Sequence, residues 1–247
     1  MTDPAPSAAA RPTVVLVHGA FADSSGWNDV VRRLQTAGIP VRAVSNPLRG
    51  IAADTAYVAG AFQQITGPVI AVGHSYGGAV ITNAAAKADN VVGLVYVAAF
   101  APDEGETLAE IEGDSKDSVL NSSIVELRYP TGSGAETAVE FAIDPAKFHD
   151  AFAADLPKAQ TDVMAATQRP VAGSAFTEQN GPPAWKNVPS WAVVATGDKA
   201  AGSDVVRSMA ARAGATILEV EGSHVIMMSQ PKTVTDVILQ AVGAIAR

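Results

Sequence analysis

The sequence predicts the α/β class: a mainly parallel sheet of about six strands, helices on both faces and one long insertion of helical character. Three observations predict it. Residues 13–17 and 91–99 are continuous apolar runs rich in β-branched side chains, the pattern of strands buried on both faces. Stretches that read as helices separate such runs and are closed by glycine or proline, as at Gly38 and Gly67-Pro68. Within residues 68–80 a further apolar run passes through a serine flanked by glycines into a helix, so the chain turns sharply there.

Taken in order, residues 13–17 form the first strand, which ends in His18-Gly19-Ala20-Phe21. A helix over 25–37 and a short strand over 40–44 follow, then a helix over 51–65. The run before Ser75, a helix over 76–88 and a strand over 91–99 complete the first half. The alternation then lapses. Residues 102–188 carry acidic and glycine-rich loops, Asp103-Glu104-Gly105-Glu106 and Thr131-Gly132-Ser133-Gly134, and helices over 145–156 and 157–168, each opened by proline. No strand that would extend the sheet is expected there. The alternation resumes with a strand over 191–196, a helix over 203–213, a strand over 216–220 and a last helix over 231–246. The expected organisation is a disordered tail over 1–11, a core made of 12–101 and 189–247, and an insertion over 102–188.

With 247 residues, 48% of them hydrophobic and 17% charged, the chain has apolar material for one large core. A formal net charge of −8, with no basic run, argues against a nucleic-acid partner. The absence of cysteine excludes disulfides, thiolate nucleophiles and cysteine-bound zinc. The longest apolar run, residues 91–101, is too short to span a bilayer. The first residues have neither the basic start nor the apolar stretch of a signal peptide. A cytoplasmic protein without a membrane partner is the expectation.

Gly73-His74-Ser75-Tyr76-Gly77 fits G-x-S-x-G, the strand-turn-helix elbow that lifts a nucleophilic serine clear of its own backbone. Such a serine needs a base, an orienting acid and donors for an oxyanion. In an open parallel sheet these collect at the carboxyl ends of strands. Of the four histidines, His18 precedes the serine, His74 adjoins it and His149 lies in the insertion, whereas His224 follows the last strand in Glu221-Gly222-Ser223-His224. His224 is therefore the base. Two acids follow strands: Asp198, in Thr196-Gly197-Asp198-Lys199, and Asp103, which opens an acidic stretch that reads as solvated. Asp198 is preferred. The backbone N–H groups of Ala20 and Tyr76 are the oxyanion donors, and Gly19 lets the first loop approach closely. No pair of histidines has metal-ligand spacing, so neither a metal nor another cofactor is expected.

Together these residues resemble the α/β-hydrolase superfamily, from Val14 to the last helix. The likeness is greatest to the small esterase group that includes plant methyl-ester esterases, hydroxynitrile lyases and related bacterial hydrolases. It rests on Val17-His18-Gly19-Ala20-Phe21 with Trp27, on Gly73-His74-Ser75-Tyr76-Gly77-Gly78, on Thr196-Gly197-Asp198-Lys199, and on Glu221-Gly222-Ser223-His224 with Met227 and Met228. The resemblance implies the α/β-hydrolase fold, a triad of Ser75, Asp198 and His224, and an insertion that caps the site. The lyases carry threonine and lysine where this chain has Gly19 and Val225, which favours the esterase branch. Ser75 excludes the aspartate nucleophile of haloalkane dehalogenases and most epoxide hydrolases.

The expected activity is hydrolysis of a small to medium, partly apolar carboxylic ester through an acyl-enzyme. Phe21, Tyr129, Phe152, Met164, Phe176 and Trp185 are available to line its pocket. The same triad serves lactone opening, C–C bond hydrolysis and perhydrolysis. A rival of another class is a ligand-binding receptor on a hydrolase scaffold. A dinucleotide-binding protein is a poorer fit, because His18-Gly19-Ala20-Phe21-Ala22-Asp23 lacks G-x-G-x-x-G.

Overall fold

The computed structural model describes residues 11–132 and 134–245; apart from Arg11, the tail expected over 1–11 lies outside them. Strand β1 (Thr13–Val17) is hydrogen-bonded on both sides, to β2 (Val41–Val44) and to β3 (Val69–His74), and all three run parallel. Strand β4 (Val91–Val97) lies beside β3. Two strands from the end of the chain, Ser190–Ala195 and Thr216–Val220, complete one six-stranded parallel sheet. The apolar runs mark its centre. Every residue of β3 is buried, whereas Val41–Val44 and Thr216–Val220, at the two edges, are partly exposed.

Helices α1 (Asn28–Thr36), α2 (Ile51–Gln63) and α3 (Tyr76–Ala85) make the first crossovers. The first connection runs outward from β1 to β2 and the next returns across β1 to β3. Right-handed crossovers therefore put α1 on one face and α2 with α3 on the other. The core is continuous through the sheet. Leu16 has no exposed surface, so Leu16→Ala is expected to lower unfolding free energy by about 2–5 kcal/mol, read by urea denaturation.

Between β4 and the strand Ser190–Ala195 the chain leaves the sheet. It forms α4 (Leu108–Asp114), then β5 (Ile124–Pro130) and β6 (Thr137–Ile143), paired antiparallel. Next come α5 (Pro145–Phe152), α6 (Lys158–Thr167), the short β7 (Val171–Ala172) beside β6, and α7 (Ser174–Thr177). The insertion is thus not simply helical: it contains a three-stranded sheet of its own. The glycine-rich stretch 131–134 links the two long strands of this sheet. Most of β5 is exposed, so its sequence carries little of the apolar alternation that announces a strand. The hairpin is tied to the core by Arg49, whose guanidinium bonds Glu140 at 2.8 Å and lies 4.4 Å from the Tyr129 ring centre.

The remaining strands are β8 (Ser190–Ala195) and β9 (Thr216–Val220), and the remaining helices α8 (Ser203–Arg212), α9 (Ile226–Ser229) and α10 (Pro231–Ile245). Among the described residues no helix is long and apolar enough to cross a membrane.

Candidate active site

The sheet order β2-β1-β3 reverses direction between β1 and β3, so the loop after β1 and the turn after β3 face each other at the carboxyl ends of adjacent strands. The turn is Ser75, with φ 54° and ψ −127°. A side chain held in this region is strained by about 1–3 kcal/mol. The residues two positions to either side of Ser75 must be glycine. A Cβ on Gly73 would lie 2.6 Å from the carbonyl oxygen of Gly77, and one on Gly77 would lie 2.5 Å from that of Val17. Three backbone bonds pin the turn: Ser75 N–H donates to Val97 at 3.3 Å, and Ser75 C=O accepts from Gly78 at 2.9 Å and Phe100 at 3.2 Å.

His224 follows β9 and Asp198 follows β8. His224 Nδ1 lies 2.8 Å from Asp198 Oδ2, and both side chains are buried. The second carboxylate oxygen accepts from the N–H groups of Ala200 and Ala201 at 2.9 and 3.0 Å. Oδ2 is thereby reserved for the imidazole, which places the proton on Nδ1 and leaves Nε2 as the basic nitrogen. Backbone bonds from Gly197 to Gly222 (3.0 Å) and from Thr196 to Val220 (2.9 Å) join the acid turn to the histidine loop. Ser75 and His224 line one small cavity with Ala20, Phe21, Tyr76 and Phe152. No hydrogen bond joins Ser75 Oγ to His224 here, and contacts of this kind often tighten only around substrate.

The N–H groups of Ala20 and Tyr76 have no backbone acceptor among the described residues, as the first donors of a helix such as α3 ordinarily lack one. Gly19 carries the first loop against the elbow, where a Cβ would lie 2.6 Å from Ser75 Cβ and 2.9 Å from His74 O. His18 braces this loop. Asn46 N–H donates to its Nε2 at 3.0 Å, so Nδ1 carries the proton and bonds Gly19 O at 2.9 Å. Burial pushes the His18 pKa down to about 4, which keeps the ring neutral. Arg169, from the insertion, bonds Asn46 O at 3.0 Å.

His74 is equally buried. Its Nε2–H donates to the backbone oxygen of His224 at 2.9 Å, and the two rings lie 4.6 Å apart. Burial, then the nearby charge of His224, holds its pKa well below the ordinary value. A neutral His74 can hold the histidine loop without opposing a protonated His224. The insertion grips the same loop from outside, where Asp155 accepts both the N–H (2.9 Å) and the hydroxyl of Ser223. Sequence reasoning missed Asn46, Asp155 and Arg169, whose roles depend on partners distant in the chain.

Of the other expected residues, Phe21, Phe152 and Phe176 line the small cavity, and Met164 lines a neighbouring one of about 50 Å³ with Phe21 and Phe152. Tyr129 and Trp185 line neither. Tyr129 is stacked beneath Arg49, and the indole N–H of Trp185 is bonded to Pro102 O at 3.1 Å. Asp103 pairs with Lys186 at 2.5 Å, away from His224. His149 bonds Thr161 Oγ1 at 3.0 Å. Leu108 and Leu120 also line the small cavity. Leu108 opens α4 behind the capping box Thr107–Glu110, a start signal present in the sequence. Among the described residues no group of three or more His, Asp or Glu could hold a metal ion.

Glu112, on α4, is the most perturbed carboxyl near the site. Burial, reinforced by Asp198 and Asp204 and opposed by a hydrogen bond from Ser118, pushes it up to about 8. The ordinary value is 4.5, so its contribution to stability is full below that pH and is lost as pH rises through about 8. His18 acts with the opposite sign: its contribution is present above 6.5 and lost as pH falls through about 4. The urea midpoint is therefore expected to fall between pH 6.5 and pH 8, and Glu112→Gln to flatten that fall. Equal slopes in the two proteins would refute a neutral Glu112.

Comparison with known proteins agrees with this architecture. No curated protein matches the chain. Among solved structures, polyneuridine aldehyde esterase superposes with a TM-score of 0.78 at 19% identity, covering 94% of this chain and 99% of that one. A methylesterase from Arabidopsis gives 0.76 at 21% identity, covering 94% and 99%. A pyrethroid hydrolase from Sphingobium faniae JZ-2 gives 0.73 at 20% identity, covering 94% and 98%. These likenesses establish a shared fold. The model of the alpha/beta hydrolase family matches residues 14–237, nearly the whole described chain, and the protein belongs to that family.

Proposed function

We propose that the protein is a serine esterase that cleaves a small to medium, partly apolar carboxylic ester through an acyl-enzyme. The observation that carries this reading is the buried His224–Asp198 pair at 2.8 Å, with His224 sharing a cavity with Ser75. Ser75 Oγ attacks the ester carbonyl as His224 Nε2 takes its proton. Asp198 Oδ2 holds the Nδ1–H and stabilises the imidazolium. The oxyanion is held by the N–H groups of Ala20 and Tyr76, the latter at the start of α3. His224 then protonates the departing alcohol, and water activated by the same histidine releases the acid and restores Ser75. Residues 102–188 act as the cap, with Asp155 and Arg169 coupling it to the histidine and oxyanion loops.

The esterase and hydrolase names of the structural neighbours support this reading at the level of reaction class. The test is twofold: turnover of p-nitrophenyl butyrate by the wild-type protein, and its reaction with a fluorophosphonate followed by peptide mass spectrometry. The label is expected on Ser75 and turnover should stop in proportion to labelling. An unlabelled Ser75 in an active protein would move the nucleophile elsewhere, and absence of both would favour a receptor.

A further inference from the structure

The small sheet of the insertion has an open side. Among the described residues β5 pairs only with β6, whereas the opposite margin, β7, is closed by Ala172 N–H, which donates to Leu48 O at 2.9 Å. Val125, Glu126, Leu127 and Arg128 are exposed in succession along β5. The outer row of N–H and C=O groups of such an edge strand is a template for a further strand.

Side chains alternate between the two faces of a strand. Val125, Leu127 and Tyr129 share one face, opposite Ala142, Glu140 and Ala138 of β6. The two alanines are small and Glu140 is turned to Arg49, so Val125 and Leu127 stay 39% and 41% exposed. Glu126 and Arg128 share the other face, where their charged ends lie 3.4 Å apart and both side chains are more than half exposed. An ion pair so open to water contributes little, so either side chain can turn to another partner.

A strand with this order of residues complements itself. Opposite residues of an antiparallel pair both turn their N–H and C=O groups to the partner or both turn them away, alternately. A two-fold pairing of β5 with itself must therefore be centred on a residue. Centred on Leu127, it sets Glu126 against Arg128 of the second copy, and Arg128 against Glu126, on the two sides of the axis. Val125 then meets Tyr129 of the second copy, a β-branched side chain against an aromatic ring already stacked on Arg49 at 4.4 Å. The ladder ends at Pro130, which has no N–H. Centring on Glu126 or Arg128 would put like charges face to face, and centring on Val125 or Tyr129 would leave both charges without an opposite. The other edge strands lack this property. Strand β2 carries one charge, Arg42, and β9 carries one, Glu219, which Arg207 holds with two bonds of 2.9 Å.

We propose that β5 pairs antiparallel with β5 of a second copy of this chain, in the register centred on Leu127, joining two insertions into one six-stranded sheet. The pairing is independent of the chemistry at Ser75. A contact built on one short strand lies at the small end of specific interfaces, so the dimer should dissociate in the micromolar range.

Sedimentation velocity from micromolar to submillimolar protein should show the wild-type chain passing from monomer to dimer. Glu126→Arg sets arginines against each other and Arg128→Glu sets glutamates against each other, so each variant alone should self-associate at least about tenfold more weakly. An equimolar mixture of the two variants should dimerise again, because each offers the charges that the other lacks. The double variant Glu126→Arg/Arg128→Glu should dimerise as the wild type does, which separates loss of pairing from misfolding of a single variant. A wild-type chain that stays monomeric throughout would overturn the pairing and point to a different chain as the occupant of this edge. A dimer that either single variant leaves unchanged, or a mixture or double variant that stays monomeric, would also overturn it.

Discussion

Replacing Asp198 by asparagine is expected to lower kcat for p-nitrophenyl butyrate on the order of 10⁴-fold while leaving the fold intact. The hydrogen bonds around the side chain dictate the result. Oδ1 is held by two backbone donors, the N–H groups of Ala200 and Ala201. In the variant only the amide oxygen can take that place, so the NH₂ group turns to His224. It donates to Nδ1, which must then be unprotonated, and the imidazole proton moves to Nε2. His224 then presents a donor to Ser75 where the proposed mechanism requires a base. The substitution is nearly isosteric and both side chains are buried, so the loss should appear in kcat with little change in KM or in the urea midpoint. Fluorophosphonate labelling of Ser75 should slow in parallel. A loss under about tenfold would remove Asp198 from this role.

The same hydrogen bonds separate what a reader of the sequence could find from what it conceals. Central strands are legible because burial on both faces leaves an unbroken apolar run, as in Val69–Val72. The elbow is legible because a serine at φ 54° needs glycines at fixed offsets. Parallel topology then restricts the search for partners to the ends of later strands. The β5–β6 hairpin escapes such reading because its stability lies in backbone pairing from Ile124–Ile143 to Pro130–Thr137, with few side chains buried. The supports of the site escape for another reason. Asp155 meets Ser223 and Arg169 meets Asn46 across large separations in the chain, and no local pattern marks an ordinary Asp or Arg as half of such a contact. Glu112 is hidden in the same way: nothing around it in sequence announces a buried carboxyl.

Gly19→Ala is expected to lower kcat on the order of 10²–10³-fold, equivalent to about 2.7–4 kcal/mol of transition-state stabilisation. A backbone donor cannot be deleted by ordinary substitution, but its loop can be pushed away. The new Cβ would lie 2.6 Å from Ser75 Cβ and 2.9 Å from His74 O, separations that non-bonded atoms do not adopt. The elbow cannot yield, because Val97, Gly78 and Phe100 hold the Ser75 backbone and His74 is paired within β3. The loop after β1 must retreat and draw Ala20 N–H away from the oxyanion position. In the proposed mechanism that donor acts on charge that develops only in the transition state, so kcat should fall while KM changes little. Gly60→Ala is the control for replacing a glycine as such. A Cβ there has nothing within 4 Å, and the position lies inside α2, so stability should rise by roughly 0.5–1 kcal/mol with activity retained. A Gly19→Ala enzyme within about threefold of wild type would show that Ala20 is not an oxyanion donor, and would shift that task to Tyr76 and groups supplied by the cap.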